Sequence, residues 1–185
     1  MKTTENKVAN TTNLRSVKDG DIFRLAGMEF IRFPSIDGKT PVVMRDIAFS
    51  SRFGDNNDLR SSDALKKMQK EILPQIMEAI GEENVLTFQT DITALDGLKP
   101  YGVIESKISL PTIDFYREHV EIFDKYQVDE WWWLATPESA PPHSAPKWVV
   151  CVAPSGDNRY RCNSCDFGVR PFLIFNSSIF ESSEE

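Results

Sequence analysis

The apolar positions of this chain change period four times. Between Asp21 and Phe49 they come in short runs. DIFRL and MEFIRF flank Ala26-Gly27, and PVVMRDIAF follows a second turn signal at Asp37-Gly38. Ile22 and Phe23, then Met28, Phe30 and Ile31, alternate only loosely, yet three short runs on such short connections predict an antiparallel meander. From Leu65 the period lengthens: Leu65, Met68, Ile72, Ile76 and Ile80 share one helical face, with Ser61 or Ser62 as the cap and Gly81 as the stop. Pro74 lies inside that face and has no amide to donate, which predicts a kink or a break into two helices. VLTF and KISL read as short strands around the loop DGLKPYG. Thr112 then caps a second helix carrying Ile113, Tyr116, Val120 and Phe123. The last third returns to strands: WWWLAT, KWVVCVAP, a turn over 155–158, RYRC and GVRPFLIF. The pattern predicts an α+β fold with antiparallel sheets and two main helical segments. We place a flexible leader at 1–18, one domain at 19–176 and an acidic tail at 177–185.

Composition narrows the function classes. The 185-residue chain is 41% hydrophobic and 26% charged, enough for a real core without metal or disulfide support. Its net charge of −7 argues against direct binding of nucleic-acid phosphates. An acidic surface can dock on basic proteins or mimic a nucleic acid, although solubility alone is the plainer meaning of that charge. No apolar run nears the ~20 residues that span a bilayer, and the polar start lacks a signal-peptide core. The expectation is a cytoplasmic protein, with Cys151, Cys162 and Cys165 as free thiols.

Candidate chemistry is sparse. Cys162-x-x-Cys165 has the spacing of half a zinc site, but only His143 and Cys151 are at hand to complete it, and a redox role would want a helix start. Two incidental small residues in a loop is the better reading, and no metal or cofactor is expected. His119 is read as an exposed helix residue, and His143 lies in the loop PPHSAP, where binding residues concentrate. No nucleophile elbow, zinc-protease, P-loop or dinucleotide signature is present. Arg170, in an apolar run, must find acceptors, so its expected role is structural. Trp131, Trp132 and Trp133, if on a strand, point alternately, with one face in the core. Trp148 fits an interface anchor or a core position equally well. His143, Arg159, Tyr160, Arg161 and Asn163 are the candidate partner contacts, being interface-type residues on two loops.

KDGDIFRLAGMEFIRF, SLPTIDFYREH, WWWLATP and GVRPFLIF occur here in an order that resembles a domain family of unknown function from Gram-positive bacteria and their phages. Its members carry a G-D-x-hydrophobic opening, an S-L-L/P-T-x-x-[DE]-[FY] segment, a W-W-L-R-[ST]-P motif and a closing G-V-R-P. The resemblance runs from about Gly20 to Phe175. It departs at Ala135, where many members have arginine, and at RCNSCDF, where a glycine-rich stretch is common. The closing segments are also similar to C-type-lectin-like domains, which implies a compact fold that displays the loops 137–146 and 154–167. On this reading the chain is a non-catalytic module that binds a protein or nucleoprotein partner. The phage resemblance implies an alternative, an anti-CRISPR protein or other inhibitor of a host defence nuclease. A third, an enzyme using Cys162 and Cys165, follows from likeness to the formylglycine-generating fold.

Overall fold

The computed structural model describes residues 13–143 and 146–179. Within these, the first three expected strands appear as β1 (Ile22–Leu25), β2 (Met28–Arg32) and β3 (Lys39–Met44). Ala26, Gly27, Asp37 and Gly38 all take positive φ, the backbone that tight hairpin turns demand. PVVMRDIAF does not continue as one strand. It breaks after Met44 and resumes as β4 (Phe49–Arg52), which belongs to a different sheet.

Ser62 caps the first helical segment by accepting from the Leu65 amide at 3.0 Å. The helix runs through α1 (Asp63–Lys67), a π turn over Met68–Ile72 and α2 (Leu73–Ile80) before ending at Gly81, φ 85°. The expected interruption takes the form of this π turn, which parts α1 from α2 just ahead of Pro74. The turn ahead of the proline widens, with the Leu73 amide reaching Met68 O, so the missing donor is absorbed. The small hairpin that follows is displaced from expectation: β5 is Phe88–Asp91 and β6 is Val103–Ser106. VLTF touches it only through Phe88. KISL instead runs extended against the next sheet, where Ser109 bridges Phe172.

Thr112 caps α3 (Ile113–Glu118) through the Phe115 amide at 3.1 Å. A break at His119 (φ −121°, ψ 25°) then starts α4 (Val120–Phe123). That break turns Val120 off the buried face, so Ile113, Tyr116 and Phe123 are in the core while Val120 is exposed. The last strands are β7 (Trp132–Pro137), β8 (Trp148–Val152), β9 (Asn158–Cys162), β10 (Asp166–Val169) and β11 (Phe172–Asn176).

These strands make a four-stranded sheet, β1-β2-β3-β11, a five-stranded sheet, β4-β10-β7-β8-β9, and the β5-β6 hairpin. All pairings but β10-β7 are antiparallel, so the fold is α+β as expected. Both large sheets bury residues on both faces along their central strands, while β4 and β9 stay partly exposed. One core joins Phe23, Phe30, Trp133 and Cys151 to Leu65, Met68 and Ile76 of the first helix; the other joins Ile22, Ile31, Trp132 and Val150 to Ile113, Tyr116 and Phe123. Two covered faces explain the loose alternation of Ile22-Phe23 and Phe30-Ile31, because neighbouring residues feed opposite cores.

GVRPFLIF divides in the same way as PVVMRDIAF. β10 pairs with β4 and β11 with β3, and the two strands of this ribbon cross from one sheet to the other together. Met44 N donates to Pro171 O and Ala48 N to Val169 O at 2.9 Å on either side of the bend. The tryptophan strand pairs with this segment at one position, where Trp132 lies opposite Gly168 and the Gly168 amide donates to Trp131 O at 2.8 Å. A side chain at Gly168 would require Ile47 to shift, since an added Cβ would lie 2.5 Å from Ile47 Cδ1.

The described part of the expected leader is docked. Leu14 and Val17 are buried, and Leu14 N bonds Ile179 O at 3.2 Å. Ser177, assigned to the tail, is also buried and bonds Thr40 through their hydroxyls at 2.7 Å. The rest of leader and tail, 1–12 and 180–185, lies outside the described residues. Among the described residues no helix is long and apolar enough to cross a membrane.

Candidate partner-docking site

The loop after the tryptophan strand is held from two sides. Asn57, fully buried, donates to Ser139 O at 2.8 Å and to Trp148 O at 3.0 Å, and its carbonyl accepts from the Tyr101 hydroxyl at 2.8 Å. Asp96 accepts from the Ala140 amide at 3.1 Å and from the Leu98 amide at 3.0 Å, and His143 Nδ1 lies 3.0 Å from it. Burial raises the Asp96 carboxyl, but these bonds together outweigh it and hold the group below its ordinary range. His143 is exposed, anchored through one ring nitrogen to the carboxylate.

Fastening this loop presents an apolar surface. Trp148, 42% exposed, opens β8, and Tyr160, 51% exposed, lies near it on β9. Their rings meet edge to face at 6.2 Å. Leu95, 49% exposed, borders the same region, its amide bonded to Pro137 O at 3.1 Å. Beside them lies a groove of about 390 Å³ lined by Leu95, Ile113, Arg117, Val150, Arg159 and Tyr160, which Trp148 adjoins through its contact with Tyr160. Its two arginines are exposed and paired only with near neighbours in sequence: Arg117 with Asp114, and Arg159 with Asp157 at 3.0 Å. Such pairs hold weakly in water, so both guanidinium groups remain available.

The five expected contacts separate. Arg159 and Tyr160 line this groove, and His143 does not, being held on Asp96 next to Leu95. Arg161 is half-buried, its guanidinium 4.5 Å over the Trp131 ring and bonded to Tyr160 O at 2.9 Å. Asn163 is not a surface contact. It is buried, donates to Gly54 O at 2.6 Å, and its carbonyl accepts from the Phe53 amide at 2.9 Å. A polar turn residue this well bonded to a neighbouring segment braces the turn. Leu95, Arg117, Asn57 and Asp96 were not singled out from sequence. Their one sequence signal was the Asp96-Gly97 turn behind a lone leucine.

Trp132 faces Tyr116 and Phe123, while Trp133 faces the opposite core and donates to Ser51 O at 2.9 Å. Trp131 stacks on Phe167 at 5.6 Å. The second face of the tryptophan strand is thus covered by a helix pair rather than left open. Arg170, almost fully buried, sits at the bend between β10 and β11. It donates to Met44 O at 3.1 Å and Arg45 O at 2.7 Å and lies 4.8 Å over the Trp132 ring. His119, expected exposed, is half-buried and stacked on Phe115 at 4.5 Å.

The cysteines are free thiols. Cys162 and Cys165 flank the β9–β10 turn, half-buried, and Cys151 is fully buried. Among the described residues no group of three or more His, Cys, Asp or Glu side chains is placed to hold a metal ion. No protein-family model, curated protein or solved structure matches the chain, so what the site can do follows from its own geometry.

Proposed function

We propose that the chain is a binding module that grips a protein partner, alone or within a nucleoprotein, on the surface formed by Leu95, Trp148, Tyr160 and the flanking Arg117 and Arg159. The exposed edge-to-face pair of Trp148 and Tyr160 carries this reading. Nothing in the fold uses these two rings as core, and tryptophan, tyrosine and arginine around a shallow apolar groove is the composition of interface hot spots. The bracing of the loop by Asn57 and Asp96 supports it, because a fixed surface loses little entropy on docking. The C-type-lectin-like character belongs to this proposal. It is supported by the tryptophan strand lying beside the Gly168-Val169-Arg170 segment, and by Leu14 bonding Ile179 at the two ends of the described chain.

The test is capture and then reconstitution. Protein retained by the wild-type chain is purified and titrated by calorimetry against the wild type and the Trp148→Ala/Tyr160→Ala double variant. Both residues are half-exposed, so the variant is expected to keep its melting temperature while affinity falls about a hundredfold. An unchanged affinity for the purified partner rules out this surface.

A further inference from the structure

A second chemistry sits in the turn between β9 and β10, and it does not depend on the docking surface. The Cys165 amide donates to Cys162 O at 2.9 Å, closing a four-residue turn. Such a turn keeps its first and last Cα within about 7 Å, and a disulfide spans about 4.4–6.8 Å between Cα atoms. The turn is also clamped from outside. Asn163 donates to Gly54 O and accepts from the Phe53 amide, which fixes the segment between the two cysteines against the start of the first helical region.

We propose that Cys162 and Cys165 form a dithiol–disulfide couple that exchanges electrons with small disulfides, Cys162 as the attacking thiol and Cys165 as the resolving one. Ser164 Oγ lies 3.2 Å from Cys162 Sγ and favours its thiolate. With the Ser164 hydroxyl first and its amide second, the Cys162 thiol is held below the ordinary cysteine value despite some burial. Both cysteines are half-buried; Cys165 packs against the core, so Cys162 is the thiol a small oxidant meets first. Cys151 is excluded, since it is fully covered and burial pushes its thiol up to about 12. An attacking thiol, a second thiol one turn away and a third that is covered make the arrangement an internal couple needs.

The exchange balances in two steps. Cys162 thiolate attacks one sulfur of a small disulfide RS–SR; that S–S bond breaks, RS⁻ leaves and takes a proton, and a mixed disulfide remains on Cys162. Cys165 then loses its proton to solvent and attacks the Cys162 sulfur, releasing the second RS⁻, which is protonated in turn. The two cysteines are oxidised to one disulfide and RS–SR is reduced to two RSH.

The experiment equilibrates the full chain in glutathione buffers of stepped potential, quenches with acid and reads intact mass. The expected product lacks two hydrogens, carries no glutathione and yields a linked Cys162–Cys165 peptide on digestion. Cys165→Ser is expected to trap glutathione on Cys162, because no resolving thiol remains. Ser164→Ala is expected to slow iodoacetamide labelling of Cys162 several-fold below pH 8, with little change above pH 10. The couple is overturned if wild-type chain accumulates separate glutathione adducts on both cysteines, or keeps all three thiols free in the most oxidising buffer. The wild-type mass decides this even if a variant folds poorly.

Discussion

Arg170 shows what one residue does for this fold. Among the described residues its guanidinium has no carboxylate in hydrogen-bonding range; its partners are the Met44 and Arg45 carbonyls and the faces of Trp132 and Phe123. Burial pushes its pKa down to about 10, with Asp46 pulling the other way, so the charge persists at neutral pH. Removing it leaves two buried acceptors at the bend where both strands of the ribbon change sheets. Arg170→Met is expected to cost about 3 kcal/mol in urea denaturation, and Arg170→Lys less, because an ammonium reaches one carbonyl but not both. A loss below about 0.5 kcal/mol for Arg170→Met would remove the bracing role. That this arginine needed acceptors was legible in GVRPFLIF; which acceptors was not, because they lie 125 and 126 positions earlier. Asn163 shows the converse. A polar residue in a turn reads as exposed, and only the approach of Gly54, 109 positions away, buries it.

At the level of elements, local chemistry was legible wherever local bonds decide the outcome. Ser62 and Thr112 cap as their sequences imply, and Gly81 ends the helix because it alone tolerates φ 85° there. Where a neighbour decides, the reading failed. KISL is apolar enough for a strand of its own hairpin, yet the unfilled edge of β11 takes Ser109 instead. Val120 fits the helical period but follows a break at His119 that the period does not reveal. Residues 140–143 depend on Asp96 in the same non-local way, and this gives a pH test. The Asp96 carboxyl is lowered in the fold from an ordinary 3.8. A lowered acid contributes fully above its unfolded value, and the contribution is lost as pH falls through the folded one. Exchange protection of the Ala140 amide is therefore expected to hold at pH 5 and to fall only below about pH 4, while Asp96→Ala loses it at both. Protection in Asp96→Ala equal to wild type would mean that Asn57 alone holds the loop.

Across the whole molecule, the antiparallel ribbon of residues 39–52 and 166–176 ties the sheets into one unit. Each sheet contributes one face to each of the two cores, so neither core can open without exposing both sheets. The docking surface hangs from this unit: β8 and β9 lie on the far side of the five-stranded sheet from β4, and the loop braces come from Asn57 and Asp96 in other segments. A rigid surface at that distance requires the sheets to unfold together. Urea denaturation followed by tryptophan fluorescence reports the five-stranded sheet, which contains Trp132, Trp133 and Trp148, with Trp131 at its border. Hydrogen exchange of the Phe23 and Phe30 amides reports the four-stranded sheet. One cooperative transition is expected, with both probes at the same midpoint. In Arg170→Met the midpoint is expected to fall while the two probes stay together, because the ribbon's own hydrogen bonds remain on either side of the bend. Separate midpoints in wild type would mean that the sheets are independent, and that the groove rests on half of the fold rather than all of it.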